Sequence, residues 1–269
     1  MHAPTEKKSP PPYLFALGQD SLPETLVMQA RGSTVTFRFV KLFKHDFFAA
    51  TGLYRDQAIA PAPADDEAGP GLVVLKIQRT RSFCGFPLAW LGRRVARNEI
   101  RVLESLQGIR GVPEFLGRHG TSGFMHAFVP GAPLEPTMPF TAAFFDNFRD
   151  LLAAIHARHA AYVDTNKREN ILLGTDGRPW LIDFQISYRP RRGARCNFLS
   201  RALLRRLQRA DWYHFYKHKT RLLPAACTPE DFAHARRRGF LHWLHRMCAR
   251  PLIQMRRWFL SRYRLEKVK

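Results

Sequence analysis

The feature that most constrains how this chain folds is a polar loop followed by two short apolar runs. The loop holds Asp164 and, six residues later, Asn170, and a second aspartate, Asp183, stands 19 residues after the first. The apolar runs are NILL at 170–173 and WLID at 180–183. Because the turn sequence TDG lies between them, the two runs predict a β-hairpin with Asn170 and Asp183 at its termini.

The hydrophobic pattern predicts the other elements in order. Strands alternate β-branched or aromatic residues with polar ones, whereas helices carry an apolar stripe at helical spacing. The predicted strands lie at 33–43, 72–77 and 123–131, and the predicted helices at 93–107, 140–162 and from 198 onward. Strands, a helix, more strands, a long helix, a hairpin and then helices predict an α+β fold with a strand-rich front and a helical back.

A lysine and a glutamate stand on predicted strand and helix. Lys76 lies in the strand sequence VVLKIQR, and Glu99 follows 23 residues later in NEIRVLESL. A strand holds a cation still, as a phosphate-rich ligand requires, and a carboxylate on a helix can orient it. Glu104 competes for this role, but five positions further on it points from another face, about 140° away at ~100° per residue. Taken alone, a lysine in such a strand is more often structural, and a glutamate on such a helix is more often an ordinary surface charge.

Together these pieces resemble the protein-kinase-like superfamily. VVLKIQR is similar to the strand motif VAIK, AAYVDTNKRENILL to the HRD…N catalytic loop, and WLIDFQIS to the DFG segment. The resemblance favours the compact bacterial branch around lipopolysaccharide-core (Kdo-type) and RIO-type kinases. It implies a two-lobed α+β fold of three parts. These are a partly disordered leader at 1–32, a strand-rich N-lobe at 33–130, and a reduced helical C-lobe at 131–269 that includes a basic tail.

The resemblance also implies roles for single residues. Asp164 takes the position of the catalytic base, with Lys167 as the nearby lysine, and Asn170 and Asp183 take the positions of the Mg²⁺ ligands. Lys76, oriented by Glu99, takes the position on the phosphates of ATP. MHAFVPG resembles the hinge, with His126 near the gatekeeper position. The backbone groups offered to adenine are those of Ala127, Phe128 and Val129.

Several positions depart from the kinase pattern. Tyr162 and Val163 replace His-Arg, which removes the usual docking point for a phosphorylated activation loop, and no APE-like segment follows. Gln185 stands where glycine is usual, which predicts restricted motion. The expected phosphate-covering loop, FKHDFFAATGLYR at 43–55, keeps only Gly52, and Lys41 or Lys44 are the cations that could assist it. Asp211 is either a buried brace for the catalytic loop or an ordinary acid at a helix N-terminus.

Positive charge is concentrated in the last third of the chain. Residues 189–269 carry 22 Lys and Arg against 4 Asp and Glu, which is +18 of the total +21. Such asymmetry suggests an anionic partner, either phospholipid, phosphorylated glycolipid or nucleic acid, or else only a solvated face. The tail at 239–269 mixes aromatic and basic residues. Two interpretations fit this pattern equally well: a helix at an anionic membrane surface, and a helix packed into the C-lobe.

These observations predict an ATP- and Mg²⁺-dependent phosphotransferase acting on a hydroxyl of a membrane-associated anionic glycolipid, such as the lipopolysaccharide core. The alternatives are a RIO-like serine/threonine protein kinase and a catalytically silent pseudokinase scaffold. No apolar stretch reaches the 18 or so residues that a membrane span requires, and four dispersed cysteines without a CxxC pair suit a reducing compartment. We therefore expect a cytoplasmic protein, in part peripheral to the inner membrane face.

Overall fold

The computed structural model describes residues 13–30, 33–59, 70–82, 87–190 and 197–236, so the basic tail at 239–269 lies outside the described residues. The strands are β1 (Thr25–Ala30), β2 (Ser33–His45), β3 (Ala49–Asp56), β4 (Leu72–Gln78), β5 (Phe115–His119), β6 (Gly123–Ala127), β7 (Gly131–Pro133), β8 (Ile171–Gly174) and β9 (Pro179–Leu181). The α-helices are α1 (Ala89–Ser105), α2 (Ala142–Ala157), α3 (Phe198–Leu222) and α4 (Pro229–Arg236).

Six antiparallel strands form the first lobe in the order β1-β2-β3-β4-β6-β5. Every residue of β4 is buried, which agrees with its nearly continuous apolar sequence LVVLKIQ. Helix α1 lies beside β4, and its buried Ile100 and Leu103 share an apolar core with Phe124 of β6. The strand that carries Lys76 is therefore held on both edges by the sheet and on one face by the helix that carries Glu99.

The sheet begins earlier in the chain than the sequence suggested. Strand β1 lies within the expected leader at 1–32 and pairs antiparallel with β2, with Met28 opposite Val35. Leu14 and Leu22 are buried and join the core of this lobe. The apolar run LVM lies in β1, which forms the edge of the sheet. Because Leu14 is also buried in this core, the first lobe extends to at least residue 14.

The segment expected to cover phosphates is mostly strand. Strands β2 and β3 leave only residues 46–48 between them, and the Asp46 carboxylate accepts from the amides of Phe48 at 2.7 Å and Ala49 at 3.0 Å. Gly52 lies within β3, opposite Leu75, and a Cβ there would approach the side chain of Leu22 to 2.6 Å. Gly52 therefore permits close packing in the sheet and does not form the tip of a loop.

The second lobe is built around α2, whose buried aromatic residues pack against α3. Phe148 and Phe215 make an edge-to-face contact with ring centroids 5.3 Å apart. Helix α2 begins after Thr141, whose hydroxyl accepts from the Phe144 amide at 3.2 Å, and ends at Ala157, before the positive φ of His159. It is therefore shorter at both ends than the predicted helix at 140–162.

The predicted hairpin is present as β8 and β9, with β7 added at its edge. The predicted helix from 198 onward is present as α3, but Pro224 begins a separate 3-10 turn before α4. This order of elements confirms the α+β fold predicted from the sequence, with a strand-rich first lobe and a helical second lobe. No helix among the described residues is both long and apolar enough to cross a membrane.

Candidate active site

A cluster of four side chains, here called the lysine cluster, joins the two lobes: Lys76, Gln78, Glu99 and Asp183. The Lys76 ammonium donates to Glu99 Oε1 and to Asp183 Oδ1, each at 2.7 Å. Glu99 Oε2 accepts from the side-chain amide of Gln78 at 2.9 Å, so both oxygens of this buried carboxylate accept hydrogen bonds. Three residues that the sequence placed in one site, from strand β4, helix α1 and the end of the hairpin, are thus in direct contact.

Opposite charges in the lysine cluster stabilise the ionised forms of Lys76 and Asp183, whereas burial keeps the pKa of Glu99 above its ordinary value. Burial alone would lower the pKa of Lys76, but the carboxylates of Glu99 and Asp183 outweigh it and hold that pKa above its ordinary value. Burial likewise opposes ionisation of Asp183, yet the adjacent Lys76 lowers the pKa of Asp183 to about 2. Lys44 and Lys167 contribute to the same lowering. Asp183 is therefore a carboxylate at neutral pH, in a region of positive potential.

Helix α1 is fixed to the segment that follows Asp183. The Asn98 side-chain amide donates to the Ser187 carbonyl at 3.0 Å, and Arg101 donates to the Arg189 carbonyl at 2.9 Å. These bonds lie on either side of Glu99 on the helix. They hold α1 in the position in which Glu99 reaches Lys76.

A second group of residues, the aspartate loop at 162–170, carries Asp164. The Oδ2 atom of Asp164 accepts from Lys167 Nζ and from Asn170 Nδ2, each at 2.7 Å. The Oδ1 atom accepts no hydrogen bond from any residue within the described ranges. Burial raises the pKa of Asp164, although Lys167 acts against this. One carboxylate oxygen is therefore positioned by two donors, and the other is available to a hydroxyl group.

Asp211, which is completely buried in the middle of α3, fixes the conformation of the aspartate loop through hydrogen bonds. Its carboxylate accepts from the amides of Tyr162 at 2.9 Å and Val163 at 2.8 Å, from the Thr165 hydroxyl at 2.7 Å and from His156 at 3.1 Å. The brace interpretation of Asp211 therefore agrees with the structure. The alternative of an acid at a helix N-terminus is wrong, because residue 211 lies well inside α3.

Val163 shows what the brace achieves. It has φ 71°, a left-handed conformation that is unfavourable for a β-branched residue by about 1–3 kcal/mol. Its amide donates to Asp211. Two residues earlier, Ala161 pairs with Tyr188 through two backbone hydrogen bonds of 2.8 and 2.9 Å. The surrounding bonds thus hold a turn that the local sequence disfavours.

The hairpin brings Asn170 beside Asp183. The Ile182 amide donates to the Asn170 carbonyl at 3.0 Å, and the Tyr162 hydroxyl contacts the carbonyl oxygens of both Asn170 and Ile182. Because Asn170 Nδ2 donates to Asp164, its Oδ1 is the atom left for a cation. An amide oxygen and an ionised carboxylate are hard donors of the kind Mg²⁺ takes alongside substrate phosphates. The donor set of Asn170 and Asp183 therefore fits this ion.

The predicted hinge has one backbone donor that the fold does not use. The Ala127 amide donates to the Glu114 backbone carbonyl at 2.8 Å, and the Phe128 amide donates to the Leu72 backbone carbonyl at 3.1 Å. Within the described part of the chain, the Val129 amide has no hydrogen-bond partner. Burial lowers the pKa of His126 to about 4, so its imidazole is neutral and its Nδ1 contacts the Ala127 carbonyl at 2.8 Å. Of the three residues expected at adenine, Val129 offers the available amide.

Sequence reasoning did not find two residues of the site. Gln78 follows Lys76 by two positions on β4, and the two-residue period of a strand places both side chains on one face, so this signal was present. Tyr162 was noted only as a substitution for histidine. Its contacts with the hairpin depend on tertiary packing, which no local pattern encodes.

Comparison with known proteins adds little. No protein-family model and no curated protein sequence matches this chain. Among solved structures, the chain is similar to the Rio2 kinase from Chaetomium thermophilum, with a TM-score of 0.46 and 16% sequence identity. The match covers 70% of this chain and 59% of that one.

Proposed function

We propose that this protein is an ATP- and Mg²⁺-dependent phosphotransferase that transfers the γ-phosphate to a hydroxyl group. The observation that carries the proposal is the lysine cluster beside the aspartate loop. Lys76 supplies a fixed cation for the nucleotide phosphates, and Asp164 supplies a carboxylate with one unoccupied oxygen. Catalysis of phosphoryl transfer consists mainly of positioning and charge neutralisation, and these residues are suited to both.

Each residue has a defined part in this proposal. Asp164 Oδ1 orients the acceptor hydroxyl and receives its proton, while Lys167 fixes the carboxylate and adds positive charge near the transferred group. Asn170 and Asp183 would hold Mg²⁺, which supplies neutralisation of the phosphate charge when bound. The backbone of Val129, with that of Ala127 and Phe128, lies along the adenine. Glu99 acts through Lys76 and is a positioning residue.

For the acceptor we propose a membrane-associated anionic glycolipid, such as a sugar of the lipopolysaccharide core. Only 14 residues separate Asp183 from the start of α3, which leaves little chain for a segment that docks peptides. The charge of +18 over residues 189–269 favours an anionic partner at the cytoplasmic face of a membrane. A RIO-like protein kinase is the second candidate, because the site residues would serve a serine or threonine hydroxyl equally.

The test is transfer of label from γ-labelled ATP into a whole extract of the producing cells, with glycolipid and protein separated before counting. The variant is Asp164→Asn, and the matched control is Asp150→Asn, an exposed acid on α2. Label in glycolipid that disappears with Asp164→Asn and persists with Asp150→Asn supports the proposal. Asp164-dependent label in protein would replace the acceptor by a polypeptide, and no Asp164-dependent label in either fraction would favour the scaffold.

A further inference from the structure

Beside the aspartate loop, on the side formed by α3, lies a groove that the catalytic roles leave unexplained. We define the basic groove by four cations: Arg168, Lys217, Arg221 and Arg236. It consists of two adjoining cavities of about 210 and 360 Å³, and Lys217 and Arg221 line both. Arg168 lines the smaller cavity and Arg236 the larger. Neither cavity has a carboxylate among its described lining residues.

The smaller cavity is structurally continuous with the catalytic loop. Asn166 and Arg168 line it and lie two and four residues after Asp164. His218, on the opposite wall, donates from Nε2 to the Thr165 carbonyl at 2.8 Å, and this bond fixes α3 against the loop. A ligand in this cavity would therefore lie against the same loop that presents the proposed catalytic base.

The positive charges converge within this region. Burial lowers the pKa of His218, and Lys217, Arg168 and Arg221 lower it further, so three cations face one neutral imidazole. Neither Arg168 nor Arg221 forms an ion pair with an Asp or Glu in the described ranges. Cations from two different elements that face a concave surface without carboxylates form a site suited to anionic groups.

The rest of the lining indicates which anionic ligand fits. Asn166, Thr220 and Tyr213 add amide and hydroxyl groups, which pair well with sugar hydroxyls. The two volumes accommodate a few monosaccharide units. Two aromatic rings line the groove among the described residues, those of Tyr213 and His218, and His218 is bonded to the Thr165 carbonyl. Binding of single-stranded nucleic acid relies instead on successive stacking platforms.

We infer that the basic groove binds the anionic groups of a carbohydrate acceptor and thereby places its reacting hydroxyl at Asp164. The inference rests on the proposed function and adds to it the site and the residues that select the anionic groups of the acceptor. Arg168 and Arg221 are the specificity-determining residues. An uncharged sugar of the same size is excluded by the loss of these charge-assisted hydrogen bonds.

The test uses the full chain and fluorescence anisotropy with three labelled probes of similar length: a sulfated hexasaccharide derived from heparin, maltohexaose and hexauridylate. The variant is the double substitution Arg168→Gln/Arg221→Gln. The matched control is Arg205→Gln/Arg206→Gln, which removes the same charge from an exposed part of α3. Thermal unfolding verifies that both variants fold, and the affinity for Mg·ATP is measured on each.

We expect the wild type to bind the sulfated hexasaccharide and not maltohexaose. The groove variant should bind it at least about tenfold more weakly, because two charge-assisted contacts are lost, while the control changes by less than about threefold. Affinity for Mg·ATP should be unchanged in both. A single Arg221→Lys substitution should retain more affinity than Arg221→Gln, since the charge remains.

Several results would overturn the inference. Equal loss in both double variants would show a diffuse basic surface, and tighter groove-dependent binding of hexauridylate would assign the groove to nucleic acid. A groove variant that loses affinity for Mg·ATP would show that the groove belongs to the nucleotide site. Failure of the sulfated probe with intact Mg·ATP binding would refute this inference alone. Failure of the wild type to bind Mg·ATP would refute the proposed function and, with it, the description of the bound anion as an acceptor.

Discussion

In the lysine cluster, side chains from three separate elements contact one another directly, whereas in the aspartate loop backbone amides donate to one distant carboxylate. Lys76, Glu99 and Asp183 form ion pairs across separations of 23 and 107 residues. The aspartate loop takes its shape from Asp211, which binds two consecutive amides. The first arrangement fixes the positions of charges, and the second fixes the conformation of the chain. We therefore expect the two regions to respond differently to substitution and to pH.

The largest effect is expected for Asp211→Ala. This change leaves two loop amides and the Thr165 hydroxyl without their acceptor in a buried position, which should lower the free energy of unfolding by about 4 kcal/mol. Urea denaturation measures it. Asp150→Ala, on the exposed face of α2, is the control and should change stability by no more than about 0.5 kcal/mol. A loss of under about 1 kcal/mol for Asp211→Ala would show that the loop holds its shape without the brace.

The second effect is that of Lys76→Met, expected to lower stability by about 3 kcal/mol at pH 7. Removal of the cation leaves the buried carboxylate of Glu99 and the partly buried carboxylate of Asp183 without their shared partner, and protonation relieves the repulsion between them. The loss should therefore be larger at pH 8 than at pH 5, and adding Glu99→Gln should recover part of it. A loss that does not vary with pH would indicate that packing of the lysine stem matters more than its charge.

In the wild type, the lowered pKa of Asp183 makes the stability of the fold depend on pH in the acidic range. Its folded pKa of about 2 lies below the ordinary value of 3.8. The stabilisation is therefore fully present above about pH 4 and is lost as pH falls towards 2. Asp183→Asn should remove this dependence, as measured by chemical denaturation between pH 2 and 5. Persistence of the full acid dependence in Asp183→Asn would assign it to other carboxylates.

A moderate effect is expected at the hinge from His126. Its pKa is lowered from 6.5 to about 4 by burial, so the unfolded chain binds more protons between these values. The contribution of His126 to the free energy of unfolding is therefore fully present above pH 6.5. It falls on acidification by up to about 1.4 kcal/mol per pH unit. His126→Leu should flatten this part of the profile. His119→Leu, at a half-exposed position, is the control and should flatten it less; equal flattening by both would contradict the assignment.

The smallest effect contrasts two glutamates of the same helix. Glu104 pairs with Arg118 at 3.0 Å on the surface, with both side chains more than 40% exposed. Glu104→Gln should change stability by about 0.5 kcal/mol or less, because exposed ion pairs contribute little. Glu99→Gln should cost more, since Lys76 then loses the fully buried one of its two carboxylate partners. Equal effects, measured by urea denaturation of both variants, would contradict the distinction between the buried cluster and the helix surface.

The elements that the sequence predicted well have strong local signals. The β8–β9 hairpin was visible in its turn residues, and α2 in its apolar stripe. Strands β1 and β3 were missed because their residues were assigned to a leader and to a phosphate-covering loop, and only pairing with neighbouring strands reveals them. In the site, the contact between Lys76 and Glu99 followed from the order of motifs. The brace by Asp211 was only one of two interpretations, because its partners lie 46 to 55 residues away.

The basic groove is the part that sequence could not locate. The excess of positive charge was evident from composition, but it pointed first to the tail at 239–269, which lies outside the described residues. Arg168 and Arg221 come from different elements, and the bonds that Asp211 and His218 of α3 make to the aspartate loop bring those elements together. Charge is a property of composition, whereas its convergence on a groove is a property of tertiary structure.

The most direct test of the central claim, that the lysine cluster and Asn170 bind the phosphates of ATP with Mg²⁺, is a calorimetric titration with ATP in the presence of Mg²⁺ and of EDTA. The wild type, Asp183→Asn and the surface control Asp150→Asn are compared. We predict that chelation weakens binding by at least about tenfold in the wild type and in the control, and that Asp183→Asn binds weakly with no dependence on Mg²⁺. Wild-type affinity and Mg²⁺ dependence in Asp183→Asn, or no binding to the wild type, would contradict the account.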